Sequence, residues 1–225
     1  MIRVKRGRAP DVLTRNRARW LRDLQRARTP KARKRVLERY RHKEVKDALV
    51  ALFHGKCAYC ESFIRHVDYG HIEHYRPKAK YPRRVFTWSN LVLACGVCNG
   101  SEYKGDEFPL KAQGGPLINP CAEDPAPHLS FEYDPVAKLA SVRGKTPRGD
   151  TTERLLGLNR QDLRTYRSTH VKRLWFIAQK AATEPEARQL LDEAAASTRE
   201  YSAFAQLLRN ALLNGFSFAS IPLKS

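Results

Sequence analysis

Two pairs of cysteines constrain the fold of this 225-residue chain more than any other feature. Cys57 and Cys60 form one CxxC pair, and Cys95 and Cys98 form a second. Each pair lets two thiolates reach one ion, and two pairs complete a tetrahedral zinc site of the structural kind. The alternative is a pair of redox motifs, but a thioredoxin-like βαβ context is missing. We therefore predict a zinc ion that pins the ends of segment 61–94, which is too polar to hold its shape by burial.

The charge of the chain points to an anionic partner. Lys and Arg number 42 against 23 Asp and Glu, and residues 1–50 hold 18 of the basic residues with only five acidic ones. A run of charge is usually a solvated helix face, but self-repulsion of one sign favours contact with nucleic acid. We find no apolar stretch long enough for a membrane span and no secretion signal at the start. We therefore expect a cytoplasmic protein with no membrane partner.

Hydrophobic spacing and turn residues predict helices at both ends of the chain, with an irregular segment between them. Thr29 is expected to cap a helix that begins after it, and Asp150 and Thr183 are expected to cap two later helices. The stretches SFEYD and KLASVR flank Asp134-Pro135 as a hairpin. The predicted helices cover 11–29, 31–53, 151–157, 160–182, 184–198 and 200–213.

These patterns divide the chain into three predicted parts. Residues 1–53 form a basic N-terminal helical arm, and 54–115 form the chemical core with the zinc knuckles. Residues 116–225 form the hairpin and a C-terminal helical region.

A His-Glu-His cluster, His71-Ile72-Glu73-His74, lies inside the loop between the cysteine pairs. Metal-assisted hydrolysis of a phosphodiester needs a base, a hard cation and a group that orients the base. His is a base near neutral pH, and a carboxylate is the usual ligand of Mg²⁺ or Mn²⁺. Neighbours in a strand face opposite sides, so Glu73 and His74 can serve one site only at a strand end or bulge. The alternative is a polar strand end with surface histidines.

Two asparagines are the other candidates in this region. Asn90 opens an apolar run and can hold a neighbouring backbone or the base, and Asn99 directly follows the second cysteine pair. An amide oxygen is an acceptable ligand for a hard cation. Each Asn can instead be a turn or cap residue.

The order of these motifs resembles the zinc-knuckle HNH endonucleases. The matching stretches are KCAYC, HIEHYRPK and SNLVLACGVCNGSEYKG. The resemblance implies an α+β fold with a ββα-metal core, which is a hairpin followed by a helix around one divalent ion. N-terminal helices and a C-terminal helical region would flank this core and its structural zinc site.

The same resemblance implies a role for each matching residue. His74 would be the general base, Asn90 would orient it, and Lys104 would lie near the scissile phosphate. Glu73 and Asn99 would hold the catalytic Mg²⁺ or Mn²⁺. His71 lies outside the general pattern and would be a further ligand or a neighbour of the base.

A narrower resemblance covers most of the chain. IRVKRGRAPDVL, PLINPCAEDP, HLSFEYD and LLGLNRQDLRTYR are similar to the PtuB nuclease subunits of Septu-type anti-phage systems and to nucleases of some retrons. This resemblance implies an ABC-like ATPase partner of the PtuA type. The sequence has no phosphate-binding GxxxxGK[ST] loop of its own, so ATP dependence would come from that partner.

These observations predict a metal-dependent HNH endonuclease that acts on nucleic acid, with DNA favoured over RNA. Two other interpretations remain open. One is a zinc-dependent module that binds nucleic acid without cutting it, and the other is an interaction subunit whose basic arm meets an acidic protein.

Overall fold

The structure is a computed structural model that describes residues 1–216, so the end of the predicted C-terminal region, 217–225, lies outside the described residues. Contacts between Cα atoms divide the chain into two compact units. The N-terminal unit comprises Val4–Ala58 and Phe63–Phe108. The C-terminal unit comprises the described residues from 109 to 216, with the short segments Met1–Arg3 and Tyr59–Ser62. The three-part division predicted above stays a prediction.

Three helices open the N-terminal unit, and a 3-10 turn separates the second from the third. Thr29 caps the second helix as predicted, because its hydroxyl accepts a hydrogen bond from the Ala32 N–H at 3.2 Å. The helices are α1, Asp11–Arg26, α2, Pro30–Leu37, and α3, Lys43–Leu52, with the 3-10 turn at Glu38–Arg41.

The single helix predicted for 31–53 is wrong, because the chain leaves the helical path at His42. The step from buried Tyr40 to buried Val45 spans five residues, which the 3.6-residue period cannot place on one face. His42 is extended, with φ −59° and ψ 142°, and its ring accepts a hydrogen bond from the Glu44 N–H. A new helix with its own cap therefore starts at residue 43.

A two-stranded antiparallel sheet and one helical turn follow in the same unit. Strand β1, His71–His74, pairs with β2, Leu91–Ala94, so that His71 lies opposite Ala94 and His74 opposite Leu91. All four residues of β2 are buried, and α3 packs on this strand. Helix α4, Gly96–Asn99, begins directly after β2, and the Cys95 thiol caps it. This is the expected ββα order, with a helix of a single turn.

The C-terminal unit consists of a hairpin and four helices, as the sequence predicted. Its strands are β3, Leu129–Asp134, and β4, Leu139–Gly144, and its helices are α5, Pro147–Leu155, α6, Gln161–Lys180, α7, Pro185–Ala194, and α8, Ser202–Leu213. The two predicted caps are wrong. Thr146 caps α5 through the Gly149 N–H at 3.2 Å, so Asp150 lies within the first turn. The Thr183 hydroxyl donates back to the Lys180 carbonyl and does not cap α7.

Buried apolar side chains of α6, α7 and α8, among them Leu174, Leu191 and Leu208, form the core of this unit. Arg167 of α6 is 1% exposed and donates to the carbonyls of Ala140 and Leu158. Within residues 1–216, no helix combines the length and the apolar character needed to cross a membrane.

Candidate metal centres and active-site cleft

The four cysteines of the two CxxC pairs come together in one cluster. Their sulfur atoms all lie within 4.8 Å of one another, and three of the four residues are buried. The backbone N–H of Ala58, inside the first pair, donates to the Leu93 carbonyl of β2 at 2.8 Å, which fixes this pair beside the second. Four thiolates at this separation are the donor set of a structural zinc site. The cysteines therefore fit the predicted zinc ion.

A cleft of about 650 Å³ lies in the N-terminal unit. Glu73, His74, Asn99 and His71 all line it, so the structure brings these four predicted site residues together. Glu73 and His74 reach one cleft because β1 ends at His74, as the strand-end interpretation requires. In the described part of the chain, the cysteines are the one group of three or more His, Cys, Asp or Glu positioned as metal ligands. The residues that line the cleft do not form such a group, so the cleft offers fewer metal ligands than the cysteine cluster.

The ring of His74 is held in one orientation. His74 is 4% exposed, and its Nε2 atom lies 3.0 Å from the carbonyl oxygen of Val85. A carbonyl only accepts, so Nε2 carries the proton and Nδ1 keeps its lone pair. Burial lowers the pKa of His74 to about 4, although the bond to Val85 acts in the opposite direction. The imidazole is therefore uncharged at neutral pH and can accept a proton.

Asn90 acts on this ring through the backbone. Its Oδ1 atom accepts from the Arg76 N–H at 2.8 Å, and its Nδ2 donates to the carbonyls of Arg76 at 3.0 Å and Arg84 at 3.2 Å. Arg84 directly precedes Val85, whose carbonyl holds His74. Asn90 is 2% exposed and does not line the cleft. Its amide thus fixes the two chain segments on either side of the base.

Lys104 lies beneath the cleft and does not line it. Its side chain is fully buried, and its ammonium pairs with Oε1 of Glu73 and donates to the His74 carbonyl at 3.0 Å. Burial raises the pKa of Glu73, and the charge of Lys104 opposes that rise. These contacts suit a residue that positions Glu73 and the end of β1.

Asn99 and His71 differ in how available their side chains are as metal ligands. Cys95 is the cap of α4, so the capping alternative for Asn99 does not apply to that helix. Across residues 1–216, the Asn99 side chain makes no hydrogen bond, which leaves its amide oxygen for a ligand. His71 is half-exposed, and its Nε2 lies 3.8 Å from Oδ2 of Asp68, so a carboxylate already adjoins it.

Five charged or aromatic residues that line the cleft were not among the predicted site residues: Tyr40, Arg41, Lys46, Lys78 and Asp106. Proximity to the motifs could have pointed to two of them, because Lys78 closes the HIEHYRPK stretch and Asp106 follows Lys104-Gly105. The other three belong to the N-terminal helical segment, and nothing in their local sequence connects them to the motifs.

Comparison with known proteins agrees with this geometry. Residues 57–105, which contain both cysteine pairs, β1, β2 and α4, match the HNH endonuclease family. The segment 57–105 is therefore similar to the HNH endonucleases, and this segment builds most of the cleft. The predicted resemblance is confirmed.

Three curated relatives extend the similarity beyond the HNH domain. The chain is 32% identical to the Septu protein PtuB of Bacillus mycoides (strain KBAB4) over 60% of this chain and 53% of that protein. It is 34% identical to the Septu protein PtuB of Bacillus thuringiensis over 54% of this chain and 44% of that protein. It is 28% identical to the retron Vc95 HNH endonuclease of Vibrio cholerae serotype O1 biovar El Tor, over 60% of this chain and 67% of that protein. The chain therefore matches about half the length of the PtuB relatives.

Proposed function

We propose that this protein is a metal-dependent endonuclease that hydrolyses phosphodiester bonds in nucleic acid. The observation that carries the proposal is one cleft of the HNH domain lined by Glu73, His74 and Asn99, in which the imidazole is fixed and uncharged. A carboxylate, an amide oxygen and an oriented base are the groups that such a hydrolysis needs. The net charge of +19 supports a polyanionic substrate.

In this proposal His74 is the general base. Its Nδ1 atom accepts a proton from the attacking water, while the bond from Nε2 to the Val85 carbonyl keeps the tautomer and the direction of the ring. Tyr40 packs its ring edge-on against His74 with the centroids 4.5 Å apart, which limits rotation of the imidazole. Asn90 holds the segment that carries Val85 and therefore positions the base without touching it.

Glu73 and Asn99 are the proposed ligands of a divalent cation, Mg²⁺ or Mn²⁺. Their oxygen donors fit a hard cation, and two protein ligands leave further positions for water and phosphate oxygens. Such a cation, when bound, stabilises charge on the scissile phosphate and the leaving oxygen. Lys104 keeps the Glu73 carboxylate in place, and His71 is a neighbouring group or a further ligand. The four cysteines hold a separate structural zinc ion.

The substrate we favour is DNA, with RNA as the second choice. Contacts to backbone phosphates carry no sequence information, so we expect little intrinsic sequence specificity. Two of the relatives are named as Septu proteins, and Septu-type resemblance implies a role in anti-phage defence together with an ABC-like ATPase of the PtuA type. Activity in that case requires the partner.

A non-catalytic module that binds nucleic acid is the second candidate. One observation favours it: the ammonium of Lys104 already pairs with the Glu73 carboxylate, which is the proposed acidic ligand of the cation. In that interpretation the pair only stabilises the fold, and the cleft binds phosphate without hydrolysing it.

Cleavage assays separate these two candidates. Zinc-loaded protein, with and without a PtuA-type ATPase and ATP, is incubated with plasmid DNA and with RNA in Mg²⁺, Mn²⁺ or no added divalent ion. The nuclease proposal predicts cleavage that requires Mg²⁺ or Mn²⁺ and that is lost in Glu73→Gln protein with an unchanged zinc content. Tight binding of DNA without cleavage under every condition would support the binding module instead.

A further inference from the structure

The N-terminal helical segment reaches the proposed base. Tyr40 lies in the 3-10 turn between α2 and α3, outside the matched HNH segment, and is 4% exposed. Its ring meets the ring of His74 edge-on, with an angle of 81° between the planes. Tyr40 also lines the cleft, so part of the active-site wall comes from a segment that precedes the HNH domain.

The hydroxyl of Tyr40 holds two cationic side chains at the same cleft. Lys78 Nζ donates to it at 3.2 Å, and Arg41 Nε donates to it at 3.4 Å. Both charged groups also lie over the Tyr40 ring, at 5.2 Å for Lys78 and 5.8 Å for Arg41. One buried phenol therefore restricts two long, flexible side chains that would otherwise lose conformational entropy on binding a ligand.

These two positive charges are poorly compensated by the protein. Within residues 1–216, Lys78 has no carboxylate within ion-pair distance, and Arg41 has only the exposed Glu38 at 3.8 Å. An exposed pair at that distance contributes little. The nearby Lys80 does not line the cleft, so it serves as a control for a positive charge outside it. Two pre-positioned cations beside a hydrolytic site fit an anionic ligand.

We propose that Tyr40, Arg41 and Lys78 form a phosphate clamp, which holds a backbone phosphate of the nucleic-acid strand beside the reacting group. The inference rests on the proposed function for its substrate class. In the clamp, Arg41 and Lys78 contact phosphate oxygens, and Tyr40 is a positioning residue that acts through them. The clamp fixes the register of the strand and reads no sequence, because backbone phosphates are the same at every step.

Salt dependence of binding measures the clamp without any cleavage. Zinc-loaded wild-type, Lys78→Ala and Arg41→Ala proteins are titrated with a fluorescent DNA duplex at a series of salt concentrations, without Mg²⁺ or Mn²⁺. Each lost phosphate contact lowers the slope of log affinity against log salt by about 0.9. We expect that decrease in both variants and none in Lys80→Ala, which removes the same charge outside the cleft. Lys78→Gln repeats the test if Lys78→Ala melts at a lower temperature than the wild type.

Tyr40→Phe tests the positioning role separately. It keeps the ring against His74 and removes only the acceptor, so both cations remain but are less ordered. We expect an affinity about two- to tenfold weaker with the salt slope unchanged, which corresponds to the loss of one or two ordinary hydrogen bonds. An affinity equal to that of the wild type would overturn the positioning role.

The results distinguish failure of the clamp from failure of the proposed function. Unchanged slopes in Lys78→Ala and Arg41→Ala, or an equal decrease in Lys80→Ala, would overturn the clamp whether or not the protein cuts DNA. Decreased slopes in a protein that never cuts DNA would retain the clamp and count against the nuclease. If the protein cuts, Lys78→Ala should raise KM far more than it lowers kcat, because the contact is already made with the bound substrate.

Discussion

Replacement of Lys104 by Met removes one partner of a buried ion pair and should strongly destabilise the N-terminal unit. The Lys104 side chain has no exposed surface, and its ammonium pairs with Glu73, which is 7% exposed. Met fills a similar volume without the charge, so a carboxylate is left buried with no cation beside it. Two carbonyls, those of His74 and Gly105, also lose a donor.

The size of the effect follows from this burial. Removal of one partner of a buried pair costs about 3 to 5 kcal/mol, whereas whole domains are stable by about 5 to 15 kcal/mol. For a unit of this size that loss lowers the melting temperature by about 12 °C or more. Burial raises the pKa of Glu73 while Lys104 opposes that rise, so loss of Lys104 favours the protonated carboxyl and partly offsets the loss of stability.

Urea unfolding followed by tryptophan fluorescence measures the loss, since Trp20 and Trp88 both belong to the N-terminal unit. The buffer contains zinc but no Mg²⁺ or Mn²⁺, so that no other cation can replace the ammonium at Glu73. The double variant Glu73→Gln with Lys104→Met removes both charges and should be more stable than Lys104→Met alone. A single variant within about 1 kcal/mol of the wild type, or a double variant that is no more stable than the single, would refute the reasoning.

Three further predictions concern the zinc site, the loop around the base and the C-terminal unit. Chelation should remove one zinc ion per chain and unfold the region around the four cysteines, because the ion supplies much of the folding free energy there. A colorimetric zinc indicator and circular dichroism follow both events, and a chain that loses its zinc without a change in melting would contradict the structural role. Asn90→Ala removes three hydrogen bonds from a buried side chain and should lower the free energy of unfolding in urea by about 2 to 4 kcal/mol. It should also lower the cleavage rate of the remaining folded protein. An unaltered rate would argue against the role of Asn90 in positioning His74. Arg167→Met removes the guanidinium donor from the buried carbonyls of Ala140 and Leu158. It should destabilise the C-terminal unit by about 2 to 4 kcal/mol, with the cleavage rate per folded molecule unchanged. A stability equal to that of the wild type would show that these bonds contribute nothing.

Local spacing predicted the parts of the site whose geometry is set within a few residues. Each CxxC pair brings two sulfurs together by itself, and the hairpin β1–β2 brings the pairs into one cluster. The difficulty that Glu73 and His74 are neighbours in a strand was also resolvable from sequence, because Pro77 places the strand end nearby. The assignment of roles to these residues came from resemblance to a family, and their roles stay predictions.

The remaining features of the site depend on burial and long-range contacts, which local sequence patterns do not encode. Lys104 was expected near the scissile phosphate, but its position beneath Glu73 depends on how the segment after α4 folds back on β1. Tyr40 falls within the helix predicted for 31–53, but local spacing does not predict its contact with His74, 34 positions further along the chain. The break at His42 corresponds to one irregular step in hydrophobic spacing. The residues around it are highly charged, so the step is hard to detect in the sequence.

The rate of plasmid cleavage by His74→Ala shows whether His74 is the general base of a nuclease. Wild-type, His74→Ala and His66→Ala proteins are compared at equal zinc content and with matched melting curves, in Mn²⁺ and with the ATPase partner if the wild type requires it. His66 is an exposed histidine that does not line the cleft, so its variant controls for the loss of an imidazole. We expect a loss of about 100-fold or more for His74→Ala, as for removal of a general base, and no loss for His66→Ala. Cleavage by His74→Ala at the wild-type rate would contradict the assignment of this cleft as the active site.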